Sequence, residues 1–393
     1  VKALSFLVGR DLRPSLDEYQ AITRDLNAGD PLMDDYVVWM FGHDPKRGKQ
    51  MFDMALHEGI AAVTDAPEAL VALFGTVEQD PVWLDRDMLE CAVAFIHSTG
   101  NNSQLVLRDL ALMGGYLLSG FNQALVMTGA LTKGSSKRMA ETYKWWIDCT
   151  DPQGLLPQRA GYRSTIHVRL IHALVRRHLA TKAEWDQSHW GLPISQTDMA
   201  ATNLAFGVLY LTGLRALGIW PTAYEARAVL HFWKYTGWLM GVDECWLVDE
   251  ERQGWVLMYH TMLTQSQPDW TSKELGRALA DEPLSRPPVK DQGLVTYYLT
   301  LARQHFDYQK HLSTSCYFLN RTQMQSLGLP AKVWPWYPLL RTPWNLAETS
   351  IRRSLPILKL RQRAGRQEQL DILAAYGIDG QYISPDQSHP AHM

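Results

Sequence analysis

The stretch Gly161-Tyr-Arg-Ser-Thr-Ile-His-Val-Arg-Leu-Ile-His-Ala-Leu-Val-Arg-Arg-His178 decides how this chain is read. Its apolar residues return at intervals of three and four, the period of a helix, and the loop around Pro157 leads into it. At 100 degrees per residue, Thr165, Arg169, His172 and Arg176 fall on one stripe with Val168, Val175 and Leu179 beside it. His167 and His178 point elsewhere.

An imidazole with a guanidinium one turn away on either side, on an otherwise apolar face, calls for an anion. A haem supplies the match, because its iron takes a neutral imidazole and its propionates take arginines through charge-assisted hydrogen bonds. At about 4 Å and an effective dielectric near 20, each such pair has a Coulomb attraction of about 4 kcal/mol before desolvation. The competing reading of the same spacing is a structural histidine between two solvated arginines.

The preceding segment, from Ser136 to Cys149, predicts a second helix. It is entered at Ser135-Ser136 and stopped by Asp151-Pro152, and Arg138, Glu141, Thr142, Trp145 and Cys149 share one face. An arginine, a carboxylate and a hydroxyl on a partly aromatic face are the groups that hydrogen-bond a reacting oxygen and move a proton. An ordinary internal Arg-Glu pair at i, i+3 is the alternative.

Helix signals run along the whole chain. Asp65-Ala66-Pro67-Glu68, Thr222-Ala223-Tyr224-Glu225 and Thr271-Ser272-Lys273-Glu274 have capping-box spacing. Loops are marked at 151–157, 190–193, 283–288 and 330–343 by proline and glycine, and alternating strand patterns are scarce. The expectation is an all-α protein of one large helical domain over residues 1–393, with the cofactor-binding core at about 85–260 and a polar, poorly ordered tail from 377. The fifteen tryptophans read as large core residues or as an aromatic wall around a flat, apolar ligand.

Composition removes other classes. A net charge of -3 with scattered basic residues gives no footprint for nucleic acid. The four cysteines are far apart, with no CxxC or CxxCH, so zinc ribbons and covalently attached haem are excluded and buried thiols are expected. No Glu-x-x-His, zincin or Gly-x-Ser-x-Gly motif occurs, and Gly129 to Ser136 lacks the lysine placement of a phosphate-binding loop. Leu204 to Trp220 is too short and polar for a membrane span, and Val1 to Arg10 lacks the features of a secretory signal. The expected setting is cytoplasmic without stable membrane insertion, with an already removed leader as the alternative. His97, His231 and His260 read as core histidines bonded to backbone.

Arg138-x-x-Glu141-Thr142, His172 with Arg169 and Arg176, and Gly237-Trp-Leu-Met-Gly-Val242 together resemble the latex-clearing-protein (rubber oxygenase) and MpaB-type oxygenase family, best between about Gly115 and Val242. The resemblance implies a globin-like helical core around non-covalent haem b, and oxidative cleavage of a carbon-carbon double bond in an isoprenoid or other hydrophobic substrate by dioxygen. It implies His172 as proximal iron ligand, Arg169 and Arg176 on the propionates, and Arg138 and Thr142 on the distal side; Thr165, on the same stripe as His172, is expected in the cofactor site. Rubber-cleaving members carry a lysine where this chain has Glu141. An ionised carboxylate only accepts hydrogen bonds, so Glu141 is expected to act as a proton acceptor or hydrogen-bond partner and polyisoprene is disfavoured as substrate. A protein of the same descent that only binds haem or a hydrophobic ligand is the non-enzymatic alternative.

Overall fold

The computed structural model describes residues 5, 6, 8–129, 135–286, 293–353 and 357–376, and no strand occurs among them. The helices that build the site and its supports are α1 (Pro31–Gly42), α2 (Arg86–Ser98), α3 (Asn102–Gly115), α4 (Ser119–Met127), α5 (Ser135–Cys149) and α6 (Ala160–Ala180). They continue with α7 (Gln196–Leu204), α8 (Tyr210–Ala216), α9 (Ala223–Leu239), α10 (Gly293–Phe318), α11 (Trp336–Arg353) and α12 (Leu358–Ala375).

The centre is helix α9. Ala228, Val229, Phe232, Trp233, Tyr235 and Leu239 are all buried along it, because α2 covers one side and α6 and α7 cover another. A helix enclosed in this way carries apolar residues around most of its circumference. Helix α12 then packs on α2. Gly365 permits their close crossing, since a Cβ there would strike the His97 carbonyl, and Gln369 Nε2 donates to the Ile96 carbonyl at 3.0 Å. One buried apolar cluster reaches from Met33 to Leu373 through Phe52, Phe74, Ile96, Ile166 and Leu211. Each such side chain contributes about 1.5–3 kcal/mol by leaving water.

Two segments widen into π-helical turns, Leu107–Leu112 within α3 and Ala205–Leu209 between α7 and α8, and they pack against each other. Gly213 of α8 makes that approach possible, since its Cβ would lie 2.5 Å from Val106 Cγ1. Among the described residues no single helix is long and apolar enough to cross a membrane. The one pair that passes by composition, Asn102–Gly115 with Ser119–Met127, is bent by 96°.

Several local expectations need correction. The Thr222 capping box is present, with the Thr222 side chain accepting from Glu225 N. The other two boxes are displaced: one helix is capped at Pro67 without a side-chain bond, and the other at Asp269, whose partner is Ser272. The proline-rich stretch 330–343 is not all loop, because α11 starts at Trp336 with Pro338 near its start and Pro343 inside it. A proline in the first turn sacrifices no helical hydrogen bond. The short helix Glu282–Ser285 occupies part of the 283–288 loop, and the tail from 377 and residues 130–134 of the Gly129–Ser136 turn lie outside the described residues. Of the four free cysteines only Cys149 is buried, and Cys245 is exposed.

Candidate functional site

Helices α5 and α6 form an antiparallel hairpin whose seam is set by small groups. Thr165 Oγ1 donates to the Gly161 carbonyl at 2.7 Å and accepts from Trp145 Nε1 at 3.0 Å, while Cys149 Sγ lies 3.4 Å from the same oxygen. Gly161 cannot be larger, because a Cβ there would sit 2.6 Å from the Asp148 carbonyl oxygen. Thr165 is therefore spent on the seam. From Cys149 beside Gly161 to Trp145 beside Thr165, each step goes back along one helix and forward along the other; continued, this register brings Arg138 alongside His172.

His172 lies on the same helix, beyond Thr165. Its Nδ1 is sealed from solvent with no hydrogen-bond partner, whereas the residue as a whole is half-buried. Burial, then the charges of Arg176 and Arg138, push the imidazole down to about 4 against a smaller opposing pull from Asp30. It is neutral at physiological pH with a lone pair available. Among the described residues no group of three or more His, Cys, Asp or Glu side chains could hold a bare metal ion. A lone neutral imidazole with a buried, unpartnered nitrogen fits an iron already held by a porphyrin better than a bare ion.

The anions opposite the two arginines come from the chain itself. Arg169 makes a fork to Asp30, Nε to Oδ2 at 2.5 Å and Nη2 to Oδ1 at 2.7 Å, and Nη1 donates to the Leu239 carbonyl. Arg176 donates to Asp34 Oδ1 at 2.5 Å and, through Nε and Nη2, to the Ile194 carbonyl. Both guanidinium groups are thus paired with carboxylates of the chain itself. Both brace α6 against α1 and the loop before α7, holding the His172 side of the helix at a fixed rotation. Burial raises the Asp34 carboxyl even beside Arg176.

The same pair explains Gly237-Trp-Leu-Met-Gly-Val242. Gly241 has φ +87, and a Cβ on it would enter the Arg169–Asp30 contact, while Gly237 lets Asn203 Nδ2 and Leu247 approach. Gln196 ties the turn together, donating to the Gly29 and Gly241 carbonyls and accepting from Asp243 N.

On α5, Arg138 and Glu141 are half-buried and Thr142 is exposed. The charge of Arg138 reaches His172 from the facing helix. Trp145 meets Phe206 at 5.3 Å and Phe206 stacks on Trp233 at 4.6 Å, an aromatic group joining α5, the second π turn and α9. His97, His231 and His260 are core histidines bonded to backbone: Nε2 of His97 and His260 donates to the Thr150 and Leu12 carbonyls, and Asp85 N donates to Nε2 of His231.

Sequence reasoning missed a buried charge cluster under the first π turn. Asp109 accepts from Arg108 Nη1 at 2.6 Å and from His311 Nδ1 at 2.7 Å, and Arg108 Nη2 donates to the Leu279 carbonyl. Burial pushes Asp109 up to about 7 despite Arg108. The only signal was an Arg-Asp dipeptide in an apolar helix.

With this geometry in place, the comparisons with known proteins are specific. Residues 104–350 match the family described as "ER-bound oxygenase mpaB/B'/Rubber oxygenase, catalytic domain", and the chain belongs to that family. The rubber oxygenase of Streptomyces sp. (strain K30) is 25% identical over 169 residues, 42% of this chain and 40% of that protein. The chain therefore aligns with about two-fifths of that relative's length. Latex clearing protein in its closed state shares the fold, with a TM-score of 0.63 over 88% of this chain and 91% of that one at 18% identity. Asp30 and Asp34 lie outside the matched residues, so the acidic partners of Arg169 and Arg176 come from the chain's own N-terminal part.

Proposed function

We propose that this protein is a haem-dependent oxygenase whose His172 binds the iron of a non-covalent haem b through Nε2. The observation that supports this is the neutral, half-buried His172 imidazole, whose Nδ1 is sealed from solvent and unpartnered. When bound, the haem would supply the iron at which dioxygen is activated to cleave a carbon-carbon double bond of a hydrophobic, isoprenoid-type substrate.

The chain's own residues do the rest. Arg169 and Arg176, fixed by Asp30 and Asp34, hold α6 so that the imidazole keeps one direction. Arg138, on the helix facing His172, offers its guanidinium to an anionic or oxygen-bearing group. Glu141 accepts a hydrogen bond or proton at its carboxylate, and Thr142 offers a hydroxyl one residue on. Trp145 and Phe206 present aromatic surface to an apolar substrate.

The test is an absorption spectrum and iron assay of the purified protein, repeated after reconstitution with hemin. A Soret band with one iron per chain is expected, lost or strongly weakened in His172→Ala. A protein that takes up no pigment, or a His172→Ala variant that keeps it with an unchanged spectrum, overturns the proposal. Oxygen uptake with an unsaturated isoprenoid separates an oxygenase from a carrier of the same fold. Glu141→Gln should slow that uptake, and an unchanged rate removes the proton-acceptor role.

A further inference from the structure

Helix α11 turns apolar residues outward over most of its length. Its first turn packs Tyr337 on the core and buries Pro338, but beyond that turn the inward side is polar: Asn345 is buried and donates to the Leu217 carbonyl and Asn102 Oδ1, and Thr342 donates to the Ala216 carbonyl. Its outward side is apolar. Leu340, Trp344 and Ile351, spaced by four and seven residues on one stripe, are 70%, 63% and 58% exposed. Trp334, just before the helix, is 70% exposed, and Ile357, Leu358 and Leu360 continue the exposed apolar run into α12.

A surface helix that buries its polar side and shows tryptophan and leucine to water is ordered for a non-aqueous neighbour. The charge around it narrows what that neighbour is. Between residues 332 and 368 the sequence holds eight lysines and arginines against two carboxylates, Glu348 and Glu368, in a chain whose net charge is -3. Arg361 is buried on Glu368 and Arg366 pairs with Asp151, whereas Lys332, Lys359 and Arg363 are exposed. At the start of the helix a crevice of about 330 Å³ sets Lys332 among the rings of Tyr308, Trp334 and Trp336.

From this inverted helix and its basic rim, we propose that α11 docks the protein peripherally on an anionic lipid bilayer, with Trp344 and Leu340 in the interfacial layer and the lysines and arginines over acidic headgroups. Tryptophan suits that depth, and basic side chains gain from the negative surface potential. A second copy of this chain is disfavoured as occupant, because a two-fold contact through this face would set one basic rim against another. Residues 377–393 are also a poor cover, since beyond Ile378, Tyr382, Ile383 and Met393 they are mostly small or polar. The proposal does not depend on the cofactor.

Full-length protein is tested by co-sedimentation with vesicles of phosphatidylcholine alone and of phosphatidylcholine with phosphatidylglycerol. Binding is expected only to the anionic vesicles, with a blue shift of tryptophan emission and weakening by salt. Lys332→Glu/Lys359→Glu/Arg363→Glu should lower the partition coefficient at least about tenfold, and so should Leu340→Glu/Trp344→Glu. All five positions are exposed, so circular dichroism should show an unchanged fold. Failure of the wild type to sediment with anionic vesicles, or equal sedimentation of the variants, overturns the proposal. So does a wild-type dimer that Trp344→Glu dissociates, or a truncation after Tyr376 that alone creates vesicle binding.

Discussion

The Arg169–Asp30 pair joins the proposed iron ligand's helix to the N-terminal part of the chain, and its energetics can be worked from the geometry. Both side chains are buried, 5% and 4% exposed, and two short bonds join them in a fork. Asp30→Asn keeps the shape but removes the charge, stranding a guanidinium in the interior at a cost of about 3–5 kcal/mol. Against a total stability of about 5–15 kcal/mol, that is a large share. Arg169→Met strands the carboxylate instead. The double variant leaves no uncompensated charge, so its cost should fall short of the sum of the single costs by about 1–3 kcal/mol. Urea unfolding of cofactor-free protein, followed by far-ultraviolet circular dichroism, measures all four corners of the cycle. Additive single effects, or an Asp30→Asn cost below about 1 kcal/mol, would refute the pairing. An Asp30→Asn variant of undiminished stability that nevertheless holds haem better would be equally damaging, because it would mean that Arg169 serves the cofactor.

Two other predictions follow from named contacts. Gly161→Ala places a Cβ 2.6 Å from the Asp148 carbonyl oxygen and 2.7 Å from Cys149 Cα, both backbone atoms, so the α5–α6 seam must open. A loss of about 1–3 kcal/mol in a denaturant titration is expected, and a neutral result would mean the hairpin is looser than described. His97, buried with Nε2 on the Thr150 carbonyl, is held down to about 4 first by burial and then by Arg366, against an ordinary value of 6.5. Its stabilising share is complete above pH 6.5 and is lost as pH falls toward 4, by about 3 kcal/mol in all. His97→Gln should flatten the fall in urea midpoint between pH 7 and pH 4, and an unchanged slope would assign acid sensitivity to other groups.

Much of the fold was legible because helices write themselves locally. The three- and four-residue period of 161–178, the Thr222 capping box and the stop at Asp151-Pro152 all involve residues within a turn or two of one another. Cap positions shifted where two candidates competed within a few residues, as at Asp269 and Thr271, and proline signalled a loop at 338 where the first turn of a helix accommodates it.

What the sequence by itself determined was the helical class, the stripe Thr165, Arg169, His172, Arg176 and the singling out of His172. Only the tertiary structure decided what those side chains meet. Asp30 and Asp34 lie some 140 positions upstream, at the N-cap and in the first turn of a helix that no local pattern links to α6, and they pair with both guanidinium groups. Thr165 fell to the hairpin seam, and Arg138 came alongside His172 through the register of that hairpin. Helix periodicity fixes which way a side chain leaves its own axis, whereas its partner is set by how distant helices cross.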